Sequence, residues 1–308
     1  MQKRKLGTAG PEVSLVGLGT NNFGGRIGLE ASRLVVDKAL DLGVTLIDTA
    51  DVYGNRGGSE EILGKVLGAR RKNVVLATKF GLPMDGGSGA SRRTIMAAVE
   101  ASLRRLNTDW IDLYQLHRPD PRTPIEETLR ALDDLKRAGK VRFIGCSNLS
   151  AKQLDDAQAV SARRGLAAFV SCQDEYNLLD RGLEQDRVAV MQKHGLGLLP
   201  YFPLASGLLS GKYRQGTPMP TGSRLAYSAQ HSDVVNARNW RIVEALRDFA
   251  ERRSHTLLEL AMSWLASRPF LSSIIAGATR PEQVEQNVAA VCWALTAEEL
   301  AEIDRITL

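Results

Sequence analysis

Short apolar, β-branched runs alternate along this chain with stretches whose apolar residues recur at helical spacing. The runs predict strands at Val13–Gly19, Thr45–Ala50, Asn73–Phe80, Trp110–His117, Val141–Asn148, Ala167–Asp174, Leu196–Leu204 and Ser272–Ala278. Several, such as Val74-Val75-Leu76-Ala77, are apolar on both alternating faces, which suits strands covered on two sides. Between them, Ile95, Val99, Leu103 and Leu106 share one face of a helix predicted over Ser91–Asn107. Ile125, Leu129, Leu132 and Leu135 share the face of another, which ends at Gly139. Thr123 with Glu126, Ser150 with Gln153, and Thr296 with Glu299 read as capping boxes, the first with Pro124 at the opening helical position. Further helices are predicted at Asn236–Arg253 and Thr256–Ser267.

Eight strand–helix units joined by right-handed crossovers predict an α/β fold, a closed parallel (β/α)8 TIM barrel, with a doubly wound open sheet as the competing architecture. No linker or shift in composition divides residues 1–308, so one domain is expected. One connection stands out: Ala205 to Val234, after the seventh strand, is rich in Gly, Pro and Ser and carries Lys212, Arg214 and Arg224. A segment of that length without periodicity reads as a lid or binding loop.

Composition changes this picture little. With 44% hydrophobic and 24% charged residues the 308-residue chain is of ordinary globular make-up, large enough to need no disulfide or metal staple. The net charge of +5 is spread out, and Lys3-Arg4-Lys5 and Arg70-Arg71-Lys72 read as solvated surface, so no nucleic-acid partner is expected. No apolar run reaches bilayer length, so no membrane partner is expected, and MQKRK does not open a secretory signal. Cys146, Cys172 and Cys292, an odd and widely spaced set, fit reduced, buried thiols and a cytoplasmic location.

Several motifs are set aside. Gly17-Leu18-Gly19-Thr20-Asn21-Asn22 begins like a dinucleotide fingerprint, but it ends in Asn and a loop, not a helix, runs to Leu29. Gly64-Lys65 and Gly211-Lys212 lack the Ser/Thr of a P-loop, and Ser88 lies in GGSG, not at a nucleophile elbow. His117, His194, His231 and His255 show no ligand spacing, so no metal is expected.

In a parallel barrel, chemistry sits at the carboxyl ends of the strands. Those ends carry Asp48 in TLIDTADVYG, Lys79 in VVLATKFG and His117 in IDLYQLHRPD, with Tyr53 five residues beyond Asp48. Taken singly, each has an ordinary structural explanation; together they predict proton delivery. A phenol with a pKa near 10 is a poor acid at neutral pH. A neighbouring Lys79 is expected to lower it, Asp48 to fix the lysine, and His117 to polarise a carbonyl or relay the proton to it.

These residues resemble the aldo-keto reductase family over essentially the whole chain, in particular the branch of bacterial aldo/keto reductases and potassium-channel β subunits, through GLGTNNFGG, GCSN, YFPLASGLLSGKY and GATRPEQVEQN. The resemblance implies a barrel that binds NADPH in extended form and moves a hydride between its nicotinamide and an aldehyde or ketone, with Asp48, Tyr53, Lys79 and His117 catalytic. It implies nicotinamide amide contacts at Ser147, Asn148 and Gln173, and ring stacking on Tyr201. It implies diphosphate contacts along Phe202, Pro203, Leu204 and Ser206, clasped by Lys212 and Arg224. Gly277, Thr279, Arg280, Gln283, Gln286 and Asn287 would take the adenosine and its 2′-phosphate, Gln286 replacing a common Glu, and Gly19, Thr20 and Asn21 the nicotinamide ribose. A helix opening at Thr279-Arg280-Pro281 is also a natural anion site. By strand-end position Phe23, the Leu82–Ala90 loop and Arg118 frame the substrate. The long C-terminal loop of the aldose-reductase branch is missing, as is a long N-terminal extension. A redox-sensing NADP(H)-binding partner subunit with little turnover is the alternative. The substrate and oligomeric state are not set by the sequence.

Overall fold

The computed structural model describes residues 1–85, 87–227 and 233–308, with only the backbone of Tyr227; His231 lies outside the described residues. The chain begins with a two-stranded antiparallel hairpin, β1 (Lys3–Lys5) and β2 (Glu12–Ser14). Eight parallel strands follow: β3 (Val16–Gly19), β4 (Leu46–Asp48), β5 (Val75–Phe80), β6 (Ile111–Leu116), β7 (Val141–Ser147), β8 (Phe169–Glu175), β9 (Gly197–Tyr201) and β10 (Ile274–Gly277). They pair in chain order, β10 returning beside β3. Between β9 and β10 the sheet is stitched by Leu198 N–H to Phe270 O and Ser272 N–H to Leu198 O, both at 2.9 Å, so the barrel is nearly closed.

The predicted run Val13–Gly19 therefore splits. Its first residues belong to the hairpin and only Val16–Gly19 is a barrel stave. Leu6 and Val13 from the hairpin pack with Leu46, Ala77, Leu113, Val170, Leu199 and Ile275 inside the barrel, closing its amino-terminal end.

The outer ring comprises α1 (Leu29–Asp41), α2 (Tyr53–Leu67), α3 (Arg92–Leu106), α4 (Ile125–Arg137), α5 (Ala151–Arg164), α6 (Arg187–His194), a short α7 (Arg224–Tyr227), α8 (Ala237–Glu251), α9 (Leu257–Ala266), α10 (Pro281–Ala289) and α11 (Ala297–Thr307). Their apolar stripes meet the outer faces of the staves in one large core. Ser150 and Thr296 form the expected capping boxes, and Thr256 with Glu259 forms a third. Thr123 does not cap α4. The N-cap is Pro124, and the Thr123 hydroxyl donates to Asp120 Oδ2 (2.9 Å), a carboxylate already collecting the amides of Ala90 and Arg122.

Two further expectations are corrected. The basic triplets are not simply solvated. Arg4 donates to the carbonyls of Arg268 and Leu271, and Arg71 is buried in an ion pair with Asp112 (2.7 Å) beneath the ring of Trp110. Each guanidinium offers several donors to carbonyls or carboxylates that burial would otherwise leave short of partners. Of the cysteines, all free, Cys146 and Cys172 are buried but Cys292 is exposed.

Candidate active site

Asp48 ends β4, and Lys79 lies one residue from the end of β5; they are 2% and 0% exposed. Lys79 Nζ donates to Asp48 Oδ2 (2.6 Å) and to the carbonyl of Thr49 (2.9 Å). Asp48 Oδ1 in turn accepts from Gln173 Nε2 (2.9 Å) and Gln115 Nε2 (3.2 Å). Sequence reasoning missed Gln115. Its signal was a neutral amide at an interior position of an apolar strand, and the register pairs it with Lys79. A buried ion pair survives only when its remaining donors and acceptors are satisfied, and the two glutamines do this for Asp48.

Tyr53 opens α2 through an unusual turn. Gly54, Asn55, Arg56 and Gly57 all have positive φ, between 60° and 114°. For Asn55 and Arg56 that region is strained, and Asn55 Nδ2 donates to the carbonyl of Gly24 (3.2 Å) to help hold it. A side chain on Gly54 would set its Cβ 2.3 Å from the carbonyl oxygen of Phe23, so only glycine fits. The turn aims the Tyr53 ring at Lys79 and His117, with which and Asp48 it forms a tetrad: Lys79 Nζ lies 5.0 Å from its centroid, and the His117 ring meets it edge-on at 6.0 Å.

The electrostatics refine one expectation. Burial raises the Tyr53 phenol above its ordinary value more than Lys79 lowers it, so the hydroxyl keeps its proton at neutral pH. For Lys79, burial works against the ammonium, but the attraction of Asp48 and Tyr53 outweighs it and the group is held charged. His117 is driven down to about 3 by burial, with Lys79 and Arg118 adding to the effect. Its imidazole is neutral, and Nδ1 is buried with no hydrogen-bond partner among the described residues.

Above the tetrad lies a cavity of about 1120 Å³. It is bounded by Gly19, Thr20, Asn21, Asp48, Tyr53, His117 and Arg118 at the mouths of β3, β4 and β6. Ser147, Asn148 and Gln173 bound it next, followed by Tyr201, Phe202, Pro203, Leu204, Ser206 and Lys212. Arg224, Gly277, Thr279, Arg280, Gln283, Gln286 and Asn287 complete the predicted set, so every residue expected at the cofactor lines this one cavity. Ser147 Oγ donates to the carbonyl of Gln173 (2.7 Å), and Asn148 joins the carbonyl of His117 (3.1 Å) to the hydroxyl of Tyr201 (2.9 Å). Gln283 Oε1 accepts from the amide of Thr279 (2.7 Å) just ahead of α10, whose first residue is Pro281.

The long connection after β9 borders this cavity. It contains a 3₁₀ segment, Ala205–Ser210, and α7, and is tied across by Arg224 to Asn21 Oδ1 (3.3 Å) and Asn22 Oδ1 (3.2 Å), and by Arg26 to the carbonyl of Gly222 (2.9 Å). Arg26 and Glu175 also line the cavity and were not foreseen.

Two substrate-side expectations fail. Phe23 is fully buried in the outer core, because the chain turns back at Thr20–Phe23 and bridges Phe23 to Ile27, carrying the ring inward. The described part of the Leu82–Ala90 loop does not reach the cavity. It is drawn toward α4, where Ala90 accepts from Thr128 Oγ1 (2.8 Å) and donates to Asp120 Oδ2 (2.9 Å). Arg118 does line the cavity and is exposed.

The lining carries five cations, Arg26, Arg118, Lys212, Arg224 and Arg280. Among the described residues the lining holds two carboxylates, Glu175 and the lysine-paired Asp48. A lining rich in cations that also holds the rings of Tyr53, Tyr201 and Phe202 suits an anionic ligand with aromatic parts. Among the described residues no helix is long and apolar enough to cross a membrane.

The Aldo/keto reductase family model matches residues 15–307. A probable voltage-gated potassium channel subunit beta of Arabidopsis thaliana is 37% identical over 302 residues, covering 94% of this chain and 91% of that protein. The L-glyceraldehyde 3-phosphate reductase of Escherichia coli is 33% identical over 321 residues, covering 99% and 92%. An uncharacterised oxidoreductase of Bacillus subtilis is 35% identical over 319 residues, covering 99% and 96%. With its eight-stave barrel and a family match spanning nearly its whole length, the chain belongs to the aldo/keto reductase family of oxidoreductases.

Proposed function

We propose that this chain, with residues 1–308 acting as one domain, is an NADPH-dependent reductase of aldehydes or ketones and that Tyr53 is its general acid. The observation that carries the reading is that Tyr53, Asp48 and His117 line a cavity rich in cations while Lys79, buried behind them, pairs with Asp48 and faces the Tyr53 ring. The cations and polar groups of that lining would hold NADPH, which when bound would supply the hydride. Tyr201 offers a flat face for the nicotinamide, with Ser147, Asn148 and Gln173 beside it for its amide. Thr279 and Arg280, at the start of α10, favour a 2′-phosphate and hence NADPH over NADH.

Tyr53 enters the reaction protonated, as an acid must, and gives its proton to the carbonyl oxygen as negative charge develops there. Lys79, charged and immobile, stabilises the phenolate left behind. Asp48 holds Lys79, and Gln115 and Gln173 hold Asp48, so the array does not reorganise during the step. His117, neutral, is placed to donate a hydrogen bond to the same oxygen.

A role as a partner subunit with little turnover is not favoured, since relatives covering nearly the whole chain are named as a reductase and an oxidoreductase. The test is NADPH oxidation with 4-nitrobenzaldehyde and a panel of smaller aldehydes. Turnover is expected, and Tyr53→Phe should lower kcat by roughly 10²–10⁴-fold with cofactor affinity nearly unchanged. NADPH binding with no turnover on any aldehyde, or a fully active Tyr53→Phe, refutes the assignment.

A further inference from the structure

Outside the barrel mouth, the fold gathers three metal-ligating side chains that lie up to 37 positions apart in the sequence. His255 lies in the α8–α9 turn, Glu259 in the first turn of α9, and Cys292 in the extended segment between α10 and α11. One ligand atom from each lies within 4.8 Å of the other two.

We propose that His255, Glu259 and Cys292 form a surface site for one zinc-like divalent ion, which clamps the segment before α11 onto the α8–α9 turn. The proposal is independent of the reading of the barrel cavity.

Each ligand is held in place by contacts that involve no ion. The His255 ring is stacked on Trp293 at 4.1 Å with planes 11° apart, and Trp293 is stacked in turn on Phe249. The Trp293 amide, next to Cys292 in the chain, donates to Ser263 Oγ (3.1 Å) and so fixes the backbone of the third ligand. Glu259 Oε2 accepts from the Thr256 amide (2.8 Å) in its capping box and lies 3.2 Å from His255 Nδ1. The Cys292 thiol faces the same carboxylate and is exposed.

The donor set selects the ion. Thiolate, imidazole and carboxylate together suit zinc and its neighbours, whereas calcium and magnesium require oxygen. Tetrahedral zinc, with bonds of about 2.0–2.3 Å, sets its ligand atoms roughly 3.3–3.8 Å apart, so closure asks for a contraction of about 1 Å. Rotation of the exposed Cys292 side chain and a small shift of Glu259 can provide it. Water fills the fourth position on the exposed side.

Binding replaces the thiol proton by the metal: the S–H bond breaks, the sulfur lone pair forms the S–metal bond, and one proton leaves to solvent. One thiolate and one carboxylate then balance the dication. Arg253, two residues before His255, does not compete, since it is paired with Glu299 (3.3 Å) and Glu302 (2.8 Å).

The full chain, reduced with a non-thiol reductant and freed of metal, should bind one equivalent of Zn²⁺ in calorimetric titration, with micromolar or tighter affinity. Co²⁺ should produce a thiolate-to-metal charge-transfer band. Cys292→Ser, at an exposed position, should abolish that band and weaken zinc binding at least about tenfold. Glu259→Gln should weaken binding but keep the band, and a given zinc concentration should raise the melting temperature of the unsubstituted protein more than that of either variant. Absence of a stoichiometric zinc site, or unchanged affinity in Cys292→Ser, overturns the proposal.

Discussion

Asp51 and His117 are both buried beside the same lysine, and burial drives each toward its uncharged form. Asp51 is pushed up from 3.8 to about 7 by burial and by nearby Glu60, whereas His117 is pulled down from 6.5 to about 3. Their effects on stability have opposite signs. Between pH 3.8 and about 7 the folded chain holds a proton on Asp51 that the unfolded chain has lost, so this contribution is complete below pH 3.8 and disappears as pH rises through 7. Between about 3 and 6.5 the unfolded chain holds the extra proton on His117, so stability is lost as pH falls through that window. Asp51→Asn should therefore make the urea midpoint rise more steeply with pH between 4 and 7 than in the unsubstituted protein, and His117→Asn should make it rise less steeply. Parallel profiles for the two variants would show that these groups do not titrate as placed. Because His117 is neutral throughout, kcat/KM should also show no ionisation near 6.5, and a step there that disappears in His117→Asn would contradict the assignment.

The tetrad's charges and strand-end positions were legible in the sequence because barrel geometry fixes where strand ends point. Gln115 was not, since its partner Asp48 lies 67 residues away on a strand that is not its neighbour in the sheet. Nor was the upward shift of the Tyr53 phenol, where a downward one was expected, because the depth of burial depends on the whole fold.

At the scale of elements, the helix periods and the boxes at Ser150 and Thr296 were readable because they depend on residues three or four apart. Thr123 failed because Asp120, just upstream, offered its hydroxyl a charged acceptor. The turn after Tyr53 was also hidden, since nothing in the sequence around Tyr53 other than its glycines announces four successive residues at positive φ. Gly54→Ala tests that turn. The new methyl would meet the Phe23 carbonyl oxygen at 2.3 Å and the Ser59 amide at 2.6 Å, both backbone atoms without room to retreat. A stability loss of about 1–3 kcal/mol is expected, with a fall in kcat exceeding any change in KM, since the turn aims the phenol. A Gly54→Ala enzyme with ordinary kcat would show that aiming does not depend on this turn.

Over the whole molecule, the alternation of strand and helix was enough to specify the barrel, and the residues that the family likeness picked out line one cavity. The entry hairpin escaped because its strands are three residues long and merge, in the sequence, with the first stave. Yet that hairpin touches the far end of the chain. Arg4 reaches the carbonyl of Arg268 across 264 positions, and Gly7 packs so tightly on the backbone of Val170, Gly195 and Gly197 that no side chain would fit.

A stopper of this kind has no seat until β8, β9 and β10 stand side by side. The loop it closes is among the longest the chain can make, with the entropic cost that implies. The chemistry end of the barrel and its floor should thus mature at different times during refolding. In pulsed hydrogen exchange, the amides of Leu6 and Leu15 should gain protection after those of β5 and β6. Simultaneous protection of all four groups would mean that the two termini dock early and template the staves between them.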